Sequence, residues 1–122
     1  MYTSLVCDDE RDIVSALEIY LTAEGYRVLK AYNGKEALSV AAREDVHLIL
    51  MDIMMPVMDG YEASRQIRSL PRLDAAVIPI LAMTANAFQD DIEKSHKNGM
   101  NEHLTKPLHT EVVLATIRKY VG

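Results

Sequence analysis

The chain has few of the features that mark membrane, secreted or disulfide-rich proteins. Its 122 residues include no tryptophan, one phenylalanine and one cysteine, Cys7, so an intrachain disulfide is excluded. A lone cysteine in an apolar run is typical of a reducing compartment. No apolar run approaches the roughly 20 residues of a membrane-spanning helix, and the chain does not open with a secretory signal pattern. We therefore expect a cytoplasmic domain without membrane contact.

Positive charge is also scarce. Lysine and arginine number 13 against 18 acidic residues, for a formal net charge of -5. Proteins that bind nucleic acid need clustered cations to displace counterions, so we expect no nucleic-acid partner for this domain. The 49% hydrophobic content supports a folded core. The length suits one compact domain, and without linkers or repeats we expect it to fill 1–122 with no output domain.

Short apolar runs alternate with helical patterns along the whole chain. Strands are predicted at 3–7, 27–31, 48–51, 80–83 and 102–105. A helix follows each strand; the first is predicted to end at Gly25, the third to cover 61–70 and the fourth to end near 98–99. Five strands alternating with five helices predict an α/β fold, a parallel sheet with helices on both faces.

Helical spacing also predicts which residues of four helices face the core. They are Ile13, Leu17, Tyr20 and Leu21 in the first helix, Ala37, Leu38, Ala41 and Ala42 in the second, Phe88 and Ile92 in the fourth, and Val112, Val113, Thr116, Ile117 and Tyr120 in the last.

Polar side chains with complementary chemistry follow four of the predicted strands. Asp8 and Asp9 close the first strand, Asp52 the third, Thr84 the fourth and Lys106 the fifth. The carboxyl ends of parallel strands share one edge of the sheet, where open α/β folds bind their ligands. We therefore expect three carboxylates, a hydroxyl and an ammonium to meet in one site.

These residue types suit a divalent cation and a phosphoryl group. A set of oxygen ligands favours Mg²⁺ over zinc, and Mg²⁺ leaves coordination positions for a phosphate oxygen. A carboxylate at such a site can attack phosphorus and form an aspartyl phosphate. Lys106 and Thr84 could then pair with the phosphoryl oxygens. Taken singly, each acid could instead be a helix cap and Lys106 a solvated surface charge.

Four segments together resemble the response-regulator receiver domain of two-component signalling. They are Leu5-Val6-Cys7-Asp8-Asp9-Glu10, the segment from Leu50-Met51-Asp52 to Pro56-Val57-Met58-Asp59-Gly60, Met83-Thr84-Ala85, and Lys106-Pro107. The resemblance spans the chain with order and spacing intact. It implies a flavodoxin-like (βα)5 fold with strand order 2-1-3-4-5, which places the first and third strands side by side.

The resemblance also implies a role for each site residue. Asp52 matches the phosphoacceptor, Asp9 the direct metal ligand and Asp8 the acid that holds the metal through water. The backbone carbonyl of Met54 matches the third protein ligand, and Thr84 the switch hydroxyl. The metal implied is Mg²⁺, with Mn²⁺ as a substitute. Such a domain is not a conventional enzyme, although it catalyses its own phosphorylation and dephosphorylation.

The end of the fifth strand matches the family in part. Lys106 matches the phosphate-pairing lysine, and Pro107 the proline that often follows a cis bond. His103 stands where the family usually has Tyr or Phe, which leaves two readings open, a working switch or an exposed histidine without a role. Met54 and Asn86 match the positions that flank the attacking water during dephosphorylation. Because a thioether cannot orient water, we expect slow self-hydrolysis.

Within the family, the segments 83–87 and 98–108 look most like receivers of hybrid sensor histidine kinases. That likeness implies a phosphoryl donor or acceptor in a kinase phosphoacceptor domain or a histidine phosphotransfer domain, with the chain part of a longer, even membrane-anchored, sensor. Two alternatives stay open. One is a stand-alone response regulator, and the other is a receiver-like module that docks a partner without phosphorylation.

Overall fold

A computed structural model describes residues 1–85 and 88–121, with residues 89 and 90 described by their backbone only. The strands are β1 (Thr3–Cys7), β2 (Arg27–Ala31), β3 (Leu48–Asp52), β4 (Ile80–Thr84) and β5 (Glu102–Thr105). The helices are α1 (Arg11–Ala23), α2 (Gly34–Arg43), α3 (Gly60–Arg68), α4 (Gln89–Lys97) and α5 (Thr110–Val121). The predicted alternation of strands and helices is confirmed.

All neighbouring strands pair in parallel, in the order β2-β1-β3-β4-β5. Both the parallel sheet and the strand order implied by the family resemblance are therefore confirmed. β1, β3 and β4 are buried along their whole length, as expected for central strands with both faces covered. Asp52 and Thr84 prove to be the last residues of β3 and β4, whereas the sequence predicted them one position beyond.

Two apolar layers sandwich the sheet. One contains Val14, Leu17 and Leu21 of α1 together with Val113 and Ile117 of α5. The other is built by α2 and α3, through Ala37, Val40, Ala41, Ala63 and Ile67. α4 contacts β5 at the edge of the sheet. Among the described residues, no helix combines the length and the apolar character needed to cross a membrane.

Several predicted core positions are wrong. Phe88 precedes α4 as its N-cap residue and is 70% exposed, so it cannot share a buried helix face with Ile92. Ala42 is exposed on α2, and Val112 and Tyr120 are exposed on α5. The buried stripe of α5 runs through Val113, Ile117 and Val121.

The predicted end of the third helix is also wrong, because α3 ends at Arg68 and not at residue 70.

Candidate phosphoryl and metal site

The predicted polar residues meet at the carboxyl edge of the sheet. Asp8 follows β1, and its neighbour strand β3 ends at Asp52. One carboxylate oxygen from each of Asp8, Asp9 and Asp52 lies within 4.8 Å of the other two. Asp8 and Asp52 are buried and Asp9 is exposed, so the cluster opens to solvent on one side. We call these three residues and Lys106 the acidic site.

Backbone hydrogen bonds bring Lys106 to the acidic site from the far side of β4. The Lys106 amide donates to the Thr84 carbonyl at 2.8 Å, which extends the pairing of Thr84 with Thr105. The peptide bond between Lys106 and Pro107 is cis, as the resemblance implied. Thr84 is buried at the end of β4, one strand from Asp52. Strand pairing thus places Thr84 on the strand next to β3 and Lys106 just beyond the following strand, and the Lys106 ammonium contacts the carboxylates of Asp8 and Asp52.

Lys106 is shared among three acids. Its Nζ lies 2.9 Å from Asp8 Oδ2, 3.4 Å from Asp52 Oδ1 and 3.7 Å from Glu10 Oε1. Burial opposes the charge of Lys106, but the contacts with Asp8 and Asp52 outweigh it and raise the pKa of Lys106. Glu10 was not expected here. Its amide also donates to Asp8 Oδ1 at 2.9 Å, which fixes that carboxylate.

One ammonium does not balance the acidic site. Burial and the neighbouring charge of Asp8 raise the pKa of Asp52 to about 7, although Lys106 acts in the opposite direction. Like charges at short range favour protonation of one partner unless a cation neutralises them. The site therefore carries a deficit of positive charge around a carboxylate that is 4% exposed.

The residues present fit a hard divalent cation. The donors are all carboxylate oxygens from three side chains, the set that Mg²⁺ prefers. Asp8 Oδ2 is fully buried and, apart from its ion pair with Lys106, has no aligned hydrogen-bond donor among the described residues. The Met54 side chain is 80% exposed, so it contributes no side-chain donor to the cluster.

His103 lies half-buried on β5 and faces α4. Its Nε2 lies 2.8 Å from Ser95 Oγ, whose hydroxyl donates to the Asp91 carbonyl at 2.9 Å. Because that hydroxyl proton is engaged, Nε2 is the donor in the contact with Ser95. Burial and the nearby His96 lower the pKa of His103. The side chain is thus half-buried and in contact with Ser95, so the expectation of an exposed histidine is wrong, while its role as a switch stays a prediction.

Some functional features were not found from the sequence, and one residue is not described. Asn86 lies outside the described residues. Ser95, the partner of His103, carried no signal beyond its place on a predicted helix. The close approach of Gly34 to the Met58 carbonyl and of Gly60 to the Asp52 carbonyl carried no signal in the sequence. Asp59 Oδ1 accepts from the Glu62 amide at 2.9 Å, which makes Asp59 the N-cap of α3.

Known proteins resemble the chain over its whole length. The receiver domain of the sensor histidine kinase PA1611 from Pseudomonas aeruginosa PAO1, solved with a magnesium ion coordinated in its active site cleft, is 35% identical, with a TM-score of 0.90 over 99% of this chain and 98% of that chain. The chemotaxis protein CheY4 of Vibrio cholerae is 29% identical, with a TM-score of 0.93 over 98% of each chain.

A relative without a known function is also similar. An uncharacterized 14.6 kDa protein from the sodA1 3′ region of Leptolyngbya boryana is 37% identical over 116 residues, which cover 95% of this chain and 87% of that protein. Residues 5–118 match the family described as the response regulator receiver domain. The chain therefore belongs to the response-regulator receiver family of two-component signalling.

Proposed function

We propose that this receiver accepts a phosphoryl group on Asp52 and relays it as a signal. The observation that carries the proposal is the acidic site, in which three carboxylate oxygens lie within 4.8 Å of one another and Lys106 contacts two of the carboxylates. If these acids only capped helices, two buried aspartates, Asp8 and Asp52, would not need to share the single ammonium of Lys106. Asp52 is the best acceptor because it ends a central strand and its carboxylate lies close both to the Asp8 carboxylate and to Lys106.

Receiver domains generally bind Mg²⁺ at an acidic site, and we propose that this chain does so too. Asp9 would bind the ion directly, Asp8 through water, and Asp52 and the backbone carbonyl of Met54 would complete the protein ligands. Mn²⁺ has the same preference for oxygen and should substitute. When bound, the cation supplies the positive charge that the acidic site lacks and neutralises phosphoryl oxygens.

The protein's own residues would align and stabilise the transfer. A carboxylate oxygen of Asp52 attacks phosphorus and forms a P–O bond, while the P–N bond to the donor histidine breaks and its nitrogen keeps the electron pair. Lys106 would exchange its contact with Asp52 for a phosphoryl oxygen. The hydroxyl of Thr84 would donate to another oxygen. Thr84 ends β4, the neighbour of β3, and Lys106 follows β5 and contacts Asp52 through its side chain.

The response to phosphorylation should reach the face formed by α4, β5 and α5. Movement of Thr84 and Lys106 toward the phosphoryl group acts on the ends of β4 and β5. His103 is tied to Ser95 of α4, so a shift of β5 is transmitted to α4 through this bond. We therefore expect that Lys106→Ala still permits labelling of Asp52 but uncouples the structural response.

Receiver domains work with histidine kinases or phosphotransfer proteins. We propose that the donor or acceptor here is a kinase phosphoacceptor domain or a histidine phosphotransfer domain, and that the chain derives from a hybrid sensor kinase. Support comes from the likeness to the sensor kinase receiver of Pseudomonas aeruginosa. A stand-alone regulator is the competing context, and the likeness to the chemotaxis protein CheY4 of Vibrio cholerae leaves it open.

Intact-mass spectrometry tests the proposal. The protein is incubated with phosphoramidate or acetyl phosphate, with Mg²⁺ or with EDTA. We expect the wild type to gain one phosphoryl group only with Mg²⁺, and Asp52→Asn to gain none. Asp59→Asn is the matched control, because Asp59 is exposed nearby and asparagine retains its capping oxygen. Labelling of Asp52→Asn at the wild-type level would disprove the acceptor assignment. If the wild type gains no phosphoryl group, even from a histidine phosphodonor, the result would favour the alternative of a receiver-like module that docks a partner without phosphorylation.

A further inference from the structure

The loop of residues 53–59, which joins β3 to α3, contacts α2 through a glycine. The Gly34 amide donates to the Met58 carbonyl at 3.0 Å. A Cβ atom at position 34 would lie 2.2 Å from the Met58 carbonyl oxygen and 2.9 Å from its carbon. These are backbone atoms, which cannot turn away as a flexible side chain would. Any side chain at position 34 must therefore displace the loop or the helix.

The helix side of this contact is the more rigid. The Asn33 side chain caps α2 by accepting from the Glu36 amide at 2.9 Å, and the Glu36 carboxylate accepts from the Tyr32 amide at 3.0 Å. This reciprocal capping fixes the first turn of α2. The amide of Gly34 has no partner within the helix, and the Met58 carbonyl supplies one. A displacement at this contact should thus be taken up by the loop.

Further contacts hold the same loop along its length. The Gly60 amide donates to the Ile53 carbonyl at 2.9 Å and closes its base. Met55 is buried, and its Sδ lies 3.4 Å from Cys7 Sγ. Val57 has a φ of 70°, a conformation that a β-branched residue adopts only when its surroundings impose it. Met54 lies between the base and the Met55 anchor, so its backbone position depends on these contacts.

We propose that Gly34 is a positioning residue for the metal site, because it lets α2 hold the loop in the conformation that presents the Met54 carbonyl to Mg²⁺. The proposal rests on the function proposed above. Gly34 touches no ligand itself and acts through the backbone of Met58. Groups that orient metal ligands without binding the metal typically change affinity by about 10- to 100-fold when altered.

Isothermal titration of Mg²⁺ into metal-free protein tests this role. We expect Gly34→Ala to bind Mg²⁺ about tenfold more weakly than the wild type, or weaker still. Gly25→Ala is the matched control. Gly25 has a φ of 91° and nothing within 4 Å of an added Cβ, so its replacement strains the backbone without touching the loop. This control should keep wild-type affinity.

The outcomes separate the two proposals. A folded Gly34→Ala protein that binds Mg²⁺ within twofold of the wild type overturns the positioning role. Equal weakening in Gly25→Ala also overturns it, since the effect would then follow from general destabilisation. A wild type that binds no Mg²⁺ instead overturns the proposed function, and this is seen before any variant is compared.

Hydrogen exchange in the wild type tests the same coupling without a substitution. If the contact with Met58 favours Mg²⁺ binding, linkage requires Mg²⁺ to favour the contact in return. Saturating Mg²⁺ should therefore slow exchange of the Gly34 amide severalfold. The Gly25 amide, which donates to the Thr22 carbonyl at 3.1 Å, should not change. Unchanged exchange of Gly34 in protein that binds Mg²⁺ would overturn the proposal.

Discussion

Removing the charge of Asp52 should stabilise the metal-free protein. The carboxylate is almost fully buried, beside a second buried carboxylate, Asp8, with Asp9 also within reach. A single ammonium, Lys106, serves both buried acids. Asp52→Asn keeps the shape of the side chain and deletes one unit of the repelling charge. The residue that we propose as the acceptor should therefore lower the stability of the fold until a cation binds.

The size of the effect follows from the pKa of Asp52. Burial, followed by repulsion from Asp8, raises it from 3.8 to about 7. Each pH unit corresponds to about 1.4 kcal/mol, which sets an upper limit of about 4 kcal/mol. The asparagine amide must still find hydrogen bonds in a buried place, so we expect a gain of about 1 to 3 kcal/mol in the free energy of unfolding.

The gain should depend on pH in a defined direction. Because the pKa of Asp52 is raised in the folded state, the folded protein takes up a proton that the unfolded chain releases. Its stability from this group is complete below about pH 4 and is lost as the pH rises through about 7. The advantage of Asp52→Asn should therefore be full at pH 8 and nearly absent at pH 4.

Urea unfolding followed by circular dichroism in EDTA measures the effect. Asp59→Asn, at an exposed cap, should change stability by less than about 0.5 kcal/mol. Saturating Mg²⁺ should stabilise the wild type by mass action and should stabilise Asp52→Asn less. The difference in the free energy of unfolding between the two proteins should therefore shrink or change sign. An Asp52→Asn protein no more stable than the wild type at pH 8 in EDTA would refute the charge imbalance.

Three further predictions concern other parts of the site. Gly60→Ala should lower the free energy of unfolding by about 1 to 3 kcal/mol or more, since its Cβ would lie 2.3 Å from the Asp52 carbonyl oxygen; wild-type stability in urea would contradict this. The aspartyl phosphate should persist well beyond seconds, because the Met54 thioether cannot orient water, and the decay of the labelled mass measures this. Since burial and His96 lower the pKa of His103, the wild type should lose more stability than His103→Gln as the pH falls below about 6.5; equal loss would refute the buried neutral histidine.

The strand ends were predictable because they depend on local patterns. Mostly apolar runs mark β1, β3 and β4. The polar residue that ends each run falls at the carboxyl edge of the sheet, and this does not depend on the conformation of the loops. The order of the strands in the sheet, by contrast, could not be predicted from local patterns. Alternation alone indicates a parallel sheet, and it was the resemblance to a family that implied β1 beside β3 and hence Asp8 beside Asp52.

Contacts between distant segments were beyond sequence reasoning. Helical spacing placed Val112 and Val113 on one face, but neighbours along a helix differ by about 100° in direction, and only the stripe of Val113 meets the sheet. The approach of Gly34, at the start of α2, to Met58 depends on how the loop after β3 lies against that helix. The bond of His103 with Ser95 likewise requires α4 to lie against β5.

The shared lysine links the charge of Asp52 to the edge of the sheet. Lys106 Nζ spans Asp8 and Asp52, while its backbone amide is bonded to Thr84. A phosphoryl group on Asp52 would add negative charge beside Lys106. We therefore expect the Lys106 ammonium to shift from its contacts with the Asp8 and Asp52 carboxylates toward the phosphoryl oxygens. Because Lys106 follows β5 directly, any such shift acts on the strand that carries His103. We expect the bond from His103 to Ser95 to pass this shift on to α4. A receiver with a rotating aromatic ring at this position would transmit the change by rotamer. Here we propose that the hydrogen bond from His103 to Ser95 takes that part, so a change in the strength of this bond should alter the response.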